Sequence, residues 1–191
     1  MGKCLLVVPL LLLVAGCAAT SPSVNEEYVF TPTTHKGLVV VSTRLVDECT
    51  PSLRMIDRHA ELNLVFRGPA PGNRVGYFIM RNPLAAADFT NPEGYFYIHE
   101  LAAGHYDFTY FNRVVEKNYN GSIRKPMGFD VKAGKVQYLG EVTLHIDKCK
   151  SLEEKQTGSL TVRDQRRRDG KLFDERMKKL SSRSFIYSPI R

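Results

Sequence analysis

The reading of the fold turns on Gly94-Tyr95-Phe96-Tyr97-Ile98-His99-Glu100-Leu101-Ala102-Ala103-Gly104-His105-Tyr106-Asp107-Phe108. Apolar and polar side chains alternate on both sides of a small-residue break, which is the period-two pattern of strands. Gly104 permits a tight reversal and Leu101 closes the end of a core beneath it, so the stretch reads as a hairpin. With Phe96 and Ile98 turned inward, Tyr95, Tyr97 and His99 face outward. That outward row is a candidate platform, either for a ligand such as a glycan or as the seat of another part of the chain. His99, His105 and Asp107 would hold a metal only by sharing a face. Alternation favours outward polar residues on a half-exposed hairpin, so no metal site is assigned.

The same periodicity extends in both directions. Strands are expected at residues 38–46, 60–66, 75–80, 94–100, 105–115, 128–132 and 136–146. Between them lie turn residues: Gly68-Pro69-Ala70-Pro71-Gly72, Asn91-Pro92-Glu93-Gly94, Asn120-Gly121 and Ala133-Gly134. Asn120-Gly121-Ser122 also matches the glycosylation pattern, but Asn-Gly already explains itself as a hairpin turn. About seven short strands with regular punctuation predict a single antiparallel β-sandwich. The hairpin resembles that of prealbumin-like β-sandwich modules, including carboxypeptidase regulatory-like domains. Phe96, Ile98, Leu101, Gly104, Tyr106 and Phe108 occupy the places of that pattern, and residues 131–140 look like its last turn and strand. The resemblance covers roughly residues 37–146 and implies a mainly β, mostly noncatalytic module. Residues 83–92 depart from it, being long and irregular.

The chain opens with Met1 to Cys17, MGKCLLVVPLLLLVAGC. One cation, Lys3, precedes an apolar run too short for a bilayer span, which needs about 20 residues. Val14-Ala15-Gly16-Cys17 resembles the bacterial lipoprotein signal. That resemblance implies a signal peptide over residues 1–16 and a diacylglycerol thioether and fatty acid (palmitate) on Cys17. Ala18, where Asp would direct retention at the inner membrane, implies the outer membrane, facing the periplasm. A myristoylation signal fails because Leu6 stands where Ser or Thr is needed. Residues 17–36 are rich in Thr, Ser, Pro and Asn and read as a lipidated N-terminus and flexible tether, on the order of 25 Å in root-mean-square span.

Four cysteines become two once Cys4 leaves with the signal and Cys17 is acylated. Cys49 and Cys149 each end an expected strand, so one disulfide is expected in an oxidising compartment. Its loop of about 100 residues is worth up to about 4.7 kcal/mol in the chain-entropy model. For the two sulfurs to meet, the two strands must be near neighbours running the same way.

The composition excludes collagen, coiled coil, a polytopic membrane protein and a disordered chain: 191 residues, 43% hydrophobic and 25% charged. The net charge of +7 invites a nucleic-acid reading, but its location argues otherwise. Residues 150–191 hold 12 cations and 6 anions, a net of +6, whereas residues 17–149 hold 14 of each. The sandwich of residues 37–149 is therefore neutral apart from its tail. Within residues 150–191, a short edge strand over 159–163 precedes a helix capped by Asp164 and running to about Leu180. Leu172, Phe173, Met177 and Leu180 form its apolar face. Arg166, Arg167, Arg168, Lys171, Lys178 and Lys179 are candidate contacts for anionic lipid, an anionic envelope polymer or an envelope protein. The competing reading is a helix packed on the sandwich with its charges solvated. An exported protein does not routinely meet nucleic acid, so none is expected as a partner.

No nucleophile elbow, Walker loop or zincin sequence is present, and the carboxylates are scattered singly. No catalytic residue, metal or cofactor is nominated. The expectation is an outer-membrane lipoprotein with a noncatalytic structural or interaction module, or alternatively a ligand-binding one.

Overall fold

The structure is a computed structural model, and it describes residues 24–49, 60–69, 75–114, 118–147 and 156–191. The protein is mainly β, with ten strands and one C-terminal helix among the described residues. The strands are β1 (Lys36–Asp47), β2 (Glu61–Arg67), β3 (Val75–Arg81), β4 (Phe89–Thr90), β5 (Glu93–Ala102), β6 (Gly104–Val114), β7 (Asn118–Val131), β8 (Val136–Ile146), β9 (Thr157–Arg163) and β10 (Ile186–Tyr187). The helix α1 is Arg166–Arg176.

The expectation of an antiparallel sandwich does not hold. One mixed sheet in the order β3-β2-β6-β7-β9-β8-β1-β5-β4 curls into a half-barrel, and β10 adds to β8. Three pairings are parallel: β1 with β8, β7 with β9, and β10 with β8. Strand periodicity reports which face of a strand is buried; it carries no information on which strand lies beside it or in which sense.

The sheet curls because its interior is aromatic. Phe66 is surrounded by the rings of Phe78, Tyr106, Phe108 and Phe129, with centroids 4.9–6.2 Å away. Val39, Val41, Leu62, Leu64, Leu139, Val142 and Leu144 complete this core. β1 is buried on both faces, which suits its continuous run Leu38-Val39-Val40-Val41. Val39 and Val41 enter the half-barrel, whereas Leu38 and Val40 enter a second cluster outside it, beneath α1.

Several local expectations change for identifiable reasons. Asn120-Gly121 is no turn but lies inside β7, because the Phe111 ring packs on Gly121. A Cβ there would lie 2.0 Å from that ring, so glycine is required by close approach. Gly104 does make the expected reversal between β5 and β6, at φ +145°. The helix is shorter than residues 164–180. Asp164 is not its cap: Gln165 holds that position without a side-chain cap, and Asp164 Oδ1 accepts from Arg166 N at 3.0 Å. At the other end Met177 is extended, and Lys178 N donates to Glu26 O at 2.8 Å.

That last bond also corrects the tether. From residue 24 onward the chain is docked, with Val24, Tyr28 and Phe30 in the outer cluster beside Leu172, Leu180 and Phe185. Tyr28 Oη donates to Glu100 at 2.8 Å, and Lys36 Nζ pairs with the same carboxylate at 2.7 Å. Three apolar side chains among the polar ones suffice to bind the segment to an apolar helix face. The signal segment 1–16, Cys17, the rest of the tether to residue 23, and Cys149 lie outside the described residues.

Candidate functional site

The outer face of the half-barrel brings together the chemistry that the sequence scatters. It is built from β1, β5 and β8, covered by α1, by residues 24–30 from one end and by Phe185 from the other. At its centre lies a buried ionic network. Asp169, wholly buried on the first turns of α1, accepts from Ser42 Oγ at 2.7 Å, Tyr138 Oη at 2.7 Å and Arg168 Nε at 2.8 Å. Arg168 extends onward to Glu141 Oε2 and to Ser42 Oγ, both at 2.8 Å, and its guanidinium lies 3.7 Å over the Phe89 ring.

Two acids and one arginine out of water would be costly as separate charges, and here each is met by a partner. Burial alone would lower Arg168, but its bonds to Asp169 and Glu141 hold it above its ordinary value. Burial first, and then the Asp169 carboxylate, push the Tyr138 phenol upward. Tyr138 thus remains a donor to Asp169, while its oxygen accepts from Gln165 N at 3.0 Å. Asp169 also sits where the helix dipole favours a negative charge. The arrangement has full hydrogen bonding and no open nucleophile; its chemistry is that of an anchor.

The basic residues nominated from sequence separate into two groups. Arg168 is turned inward into the network. Arg166 pairs with Asp164 and lies 4.7 Å over Tyr187. Lys178 and Lys179 pair with Glu26 and Glu27 of the docked N-terminal segment, at 2.8 and 3.5 Å. Arg167 and Lys171 remain exposed, with no ion-pair partner among the described residues. Arg176, not nominated, pairs with Asp88 and donates to Phe96 O at 3.0 Å. The C-terminal positive charge is therefore largely met by acids from elsewhere in the chain.

Tyr95, Tyr97 and His99 do not form an outward platform. Phe96 and Ile98 point outward beneath α1, so the alternation places the other row inside. Tyr95 is 5% and His99 7% exposed. The two tyrosines close the open side of the half-barrel, where β3 faces β1 and β5 without a ladder. Tyr95 Oη accepts from Asn82 N and donates to Asn82 O, at 3.0 and 3.1 Å. Tyr97 Oη and Thr43 Oγ1 both donate to Ile79 O, at 3.2 and 2.8 Å. The seat of α1 is the face opposite these tyrosines, because a strand buried on both sides leaves alternation unable to say which side is the core.

His99 lies against the Phe78 ring, 5.3 Å between centroids, and burial lowers it to about 4. His105 is exposed and bonds Asp130 at 2.8 Å and Asp107 at 3.1 Å; the Asp130 bond chiefly raises it. The two histidines thus lie on different faces, and the described residues contain no group of three or more His, Cys, Asp or Glu that could hold a metal.

At the far end of the half-barrel, Asp47 Oδ2 accepts from Arg113 at 3.0 Å and Arg81 at 3.3 Å. Arg113 is wholly buried. Cys49 is buried beside this cluster, with its sulfur 2.7 Å from the Asp147 carbonyl oxygen. β1 and β8 run in parallel register to Asp47 opposite Ile146, so Cys49 follows one strand and residue 149 the other.

Sequence reading missed Ser42, Tyr138, Glu141 and Asp169 as a unit. One signal was available: an acid directly after Arg166-Arg167-Arg168, at the start of a helix whose other face is apolar. Its partners on two strands, 27 and 127 residues away, carry no local mark. Among the described residues no helix is long and apolar enough to cross a membrane. Compared with known proteins, the chain matches no family model, no curated protein and no solved structure.

Proposed function

We propose that the protein is a bacterial outer-membrane lipoprotein, acylated at Cys17, whose half-barrel serves as a noncatalytic structural or interaction module on the periplasmic side. The observation that carries this reading is where the N-terminal segment docks. Val24 packs in the outer cluster under α1, so six residues, 18–23, separate it from Cys17. Seven peptide units extend at most about 25 Å. Such a chain would hold the α1 face, with exposed Arg167 and Lys171, near the surface that carries the lipid. Confinement of this kind raises local concentration, so weak contacts suffice for partners in the same membrane. A second acyl chain is what makes such anchoring lasting.

A Cys49–Cys149 disulfide belongs to the same proposal, supported by the parallel ends of β1 and β8 and by the buried sulfur next to Asp147. The ligand-binding alternative loses its residues, since Tyr95 and His99 are buried. Metabolic labelling with palmitate tests the anchor: label on the wild type that disappears in Cys17→Ala is expected, and unlabelled wild type overturns it. A non-reducing mass measurement on the same material reads the bridge.

A further inference from the structure

The wall of the half-barrel contains a row made of two separate pieces. β9 lies between β7 and β8, but its ladder with β7 covers only Ser122↔Thr157 and Ile123↔Gly158. Beyond it the two flanking strands leave a slot, and residues 186–191 fill it. Ile186 and Tyr187 pair with Gln137 and Tyr138 of β8, and Ser188 N donates to Tyr138 O at 3.0 Å. On the other side Gly128 N donates to Arg191 O at 2.7 Å, and Arg191 N returns a bond to Gly128 O at 3.1 Å. Ile190 enters the aromatic core and is 4% exposed. Phe185 and Tyr187 stay outside, both stacked on Tyr138 with centroids 5.5 and 5.9 Å away.

We propose that this slot is a strand-accepting site, held shut by the chain's own tail. Its partner is an extended peptide segment of another protein with an aromatic residue and, three positions later, a branched aliphatic one. The proposal deepens the interaction-module reading and rests on it. The tail itself defines the recognition: main-chain bonds to both flanking strands, an aromatic surface on Tyr138, and one apolar pocket, the elements of peptide recognition by strand addition. The tail also uses the slot incompletely. It pairs with only two residues of β8 and arrives from a 3-10 turn at Ser182–Ser184, and Ile186 and Tyr187 remain 37% exposed. A strand entering straight along β8 would gain ladder bonds that the tail cannot make. The tail, being attached, competes at an effective concentration in the millimolar range, so it sets a threshold that excludes casual binders.

The test uses the full-length protein in detergent and a labelled peptide with the sequence of residues 185–191. Ile190→Asp in the protein withdraws the tail's apolar anchor. The apparent affinity of a site scales with the fraction that is open, so the peptide is expected to bind this variant at least about tenfold more tightly than the wild type. A peptide carrying the same Ile-to-Asp change should bind neither. Equal affinity for variant and wild type, or no binding to a folded variant, overturns the proposal. Should the variant fail to fold, hydrogen exchange on the wild type decides. Gly128 faces the tail, whereas its neighbour Phe129 pairs with Tyr106 of β6. Exchange at Gly128 faster than at Phe129 by about a hundredfold or more is expected for a tail that opens locally. Equal rates would mean that the tail leaves only when the sheet unfolds, and would overturn it. Neither measurement depends on the lipid, so a failure here is distinct from a failure of palmitate labelling.

Discussion

The inside and the outside of this half-barrel are held by different physics. Inside, five aromatic rings interlock around Phe66, and cohesion comes from apolar area removed from water. Outside, the apolar cluster around Phe173 and Met177 is smaller, and a directional network through Asp169 fixes the helix upon it. Close packing tolerates many sequences of similar volume; a buried network tolerates few, because each unsatisfied member costs the desolvation of its group. The interior therefore supplies general stability, and the outer layer supplies a specific docking of both chain ends.

That contrast can be broken at its strongest point by Phe66→Ala. Its side chain is 1% exposed, and loss of a buried Phe costs about 4 kcal/mol, so chemical denaturation should show a lower midpoint for the whole protein in one transition. Asp169→Ala is the corresponding break outside. Removing one partner of a buried charge pair costs several kcal/mol, here about 3 because Glu141 still meets Arg168. The distinguishing readout is limited proteolysis: cleavage around Arg166, Arg167 and Lys171 should appear before the half-barrel melts.

A third test, by pH, belongs to the interior. His99 is held neutral, with its folded value about 4 against 6.5 in the unfolded chain. Between those values the unfolded state binds the extra proton, so stability falls as pH drops from about 6.5 toward 4 and levels below it. The loss is on the order of 2–3 kcal/mol. His99→Phe should flatten this acid limb in urea titrations at several pH values. The smallest effect is expected from Tyr28→Phe, which removes only the bond to the half-exposed Glu100 carboxylate. About 1 kcal/mol or less is expected, read as a small fall in Tm. A larger fall would mean that the N-terminal segment does more than dock.

How much of this was legible beforehand follows from where each signal resides. The hairpin around Gly104 could be read because a reversal and its flanking alternation are contiguous. β7 could not: Gly121 looks like a turn until the Phe111 ring is placed upon it. The apolar face of α1 was legible at Phe173 and Met177, and its seat was not. β1 and β5 are buried on both faces, so alternation separates Tyr95, Tyr97 and His99 from Phe96 and Ile98 without saying which set faces the larger core. The basic tail was legible as charge but not as surface, since Glu26, Glu27, Asp88 and Glu141 meet it from distant positions.

By itself, then, the sequence determined the strand-rich character, the amphipathic helix, the reversal at Gly104 and the confinement of positive charge to the last 42 residues. These are local or additive properties, set by side-chain period and composition. Tertiary structure alone decided the parallel pairing of β1 with β8, the inward turn of Arg168, the docking of residues 24–30 and the insertion of residues 186–191 into the wall. Each depends on which distant segment becomes a neighbour, and partner choice is settled by the cooperative packing of the whole sheet.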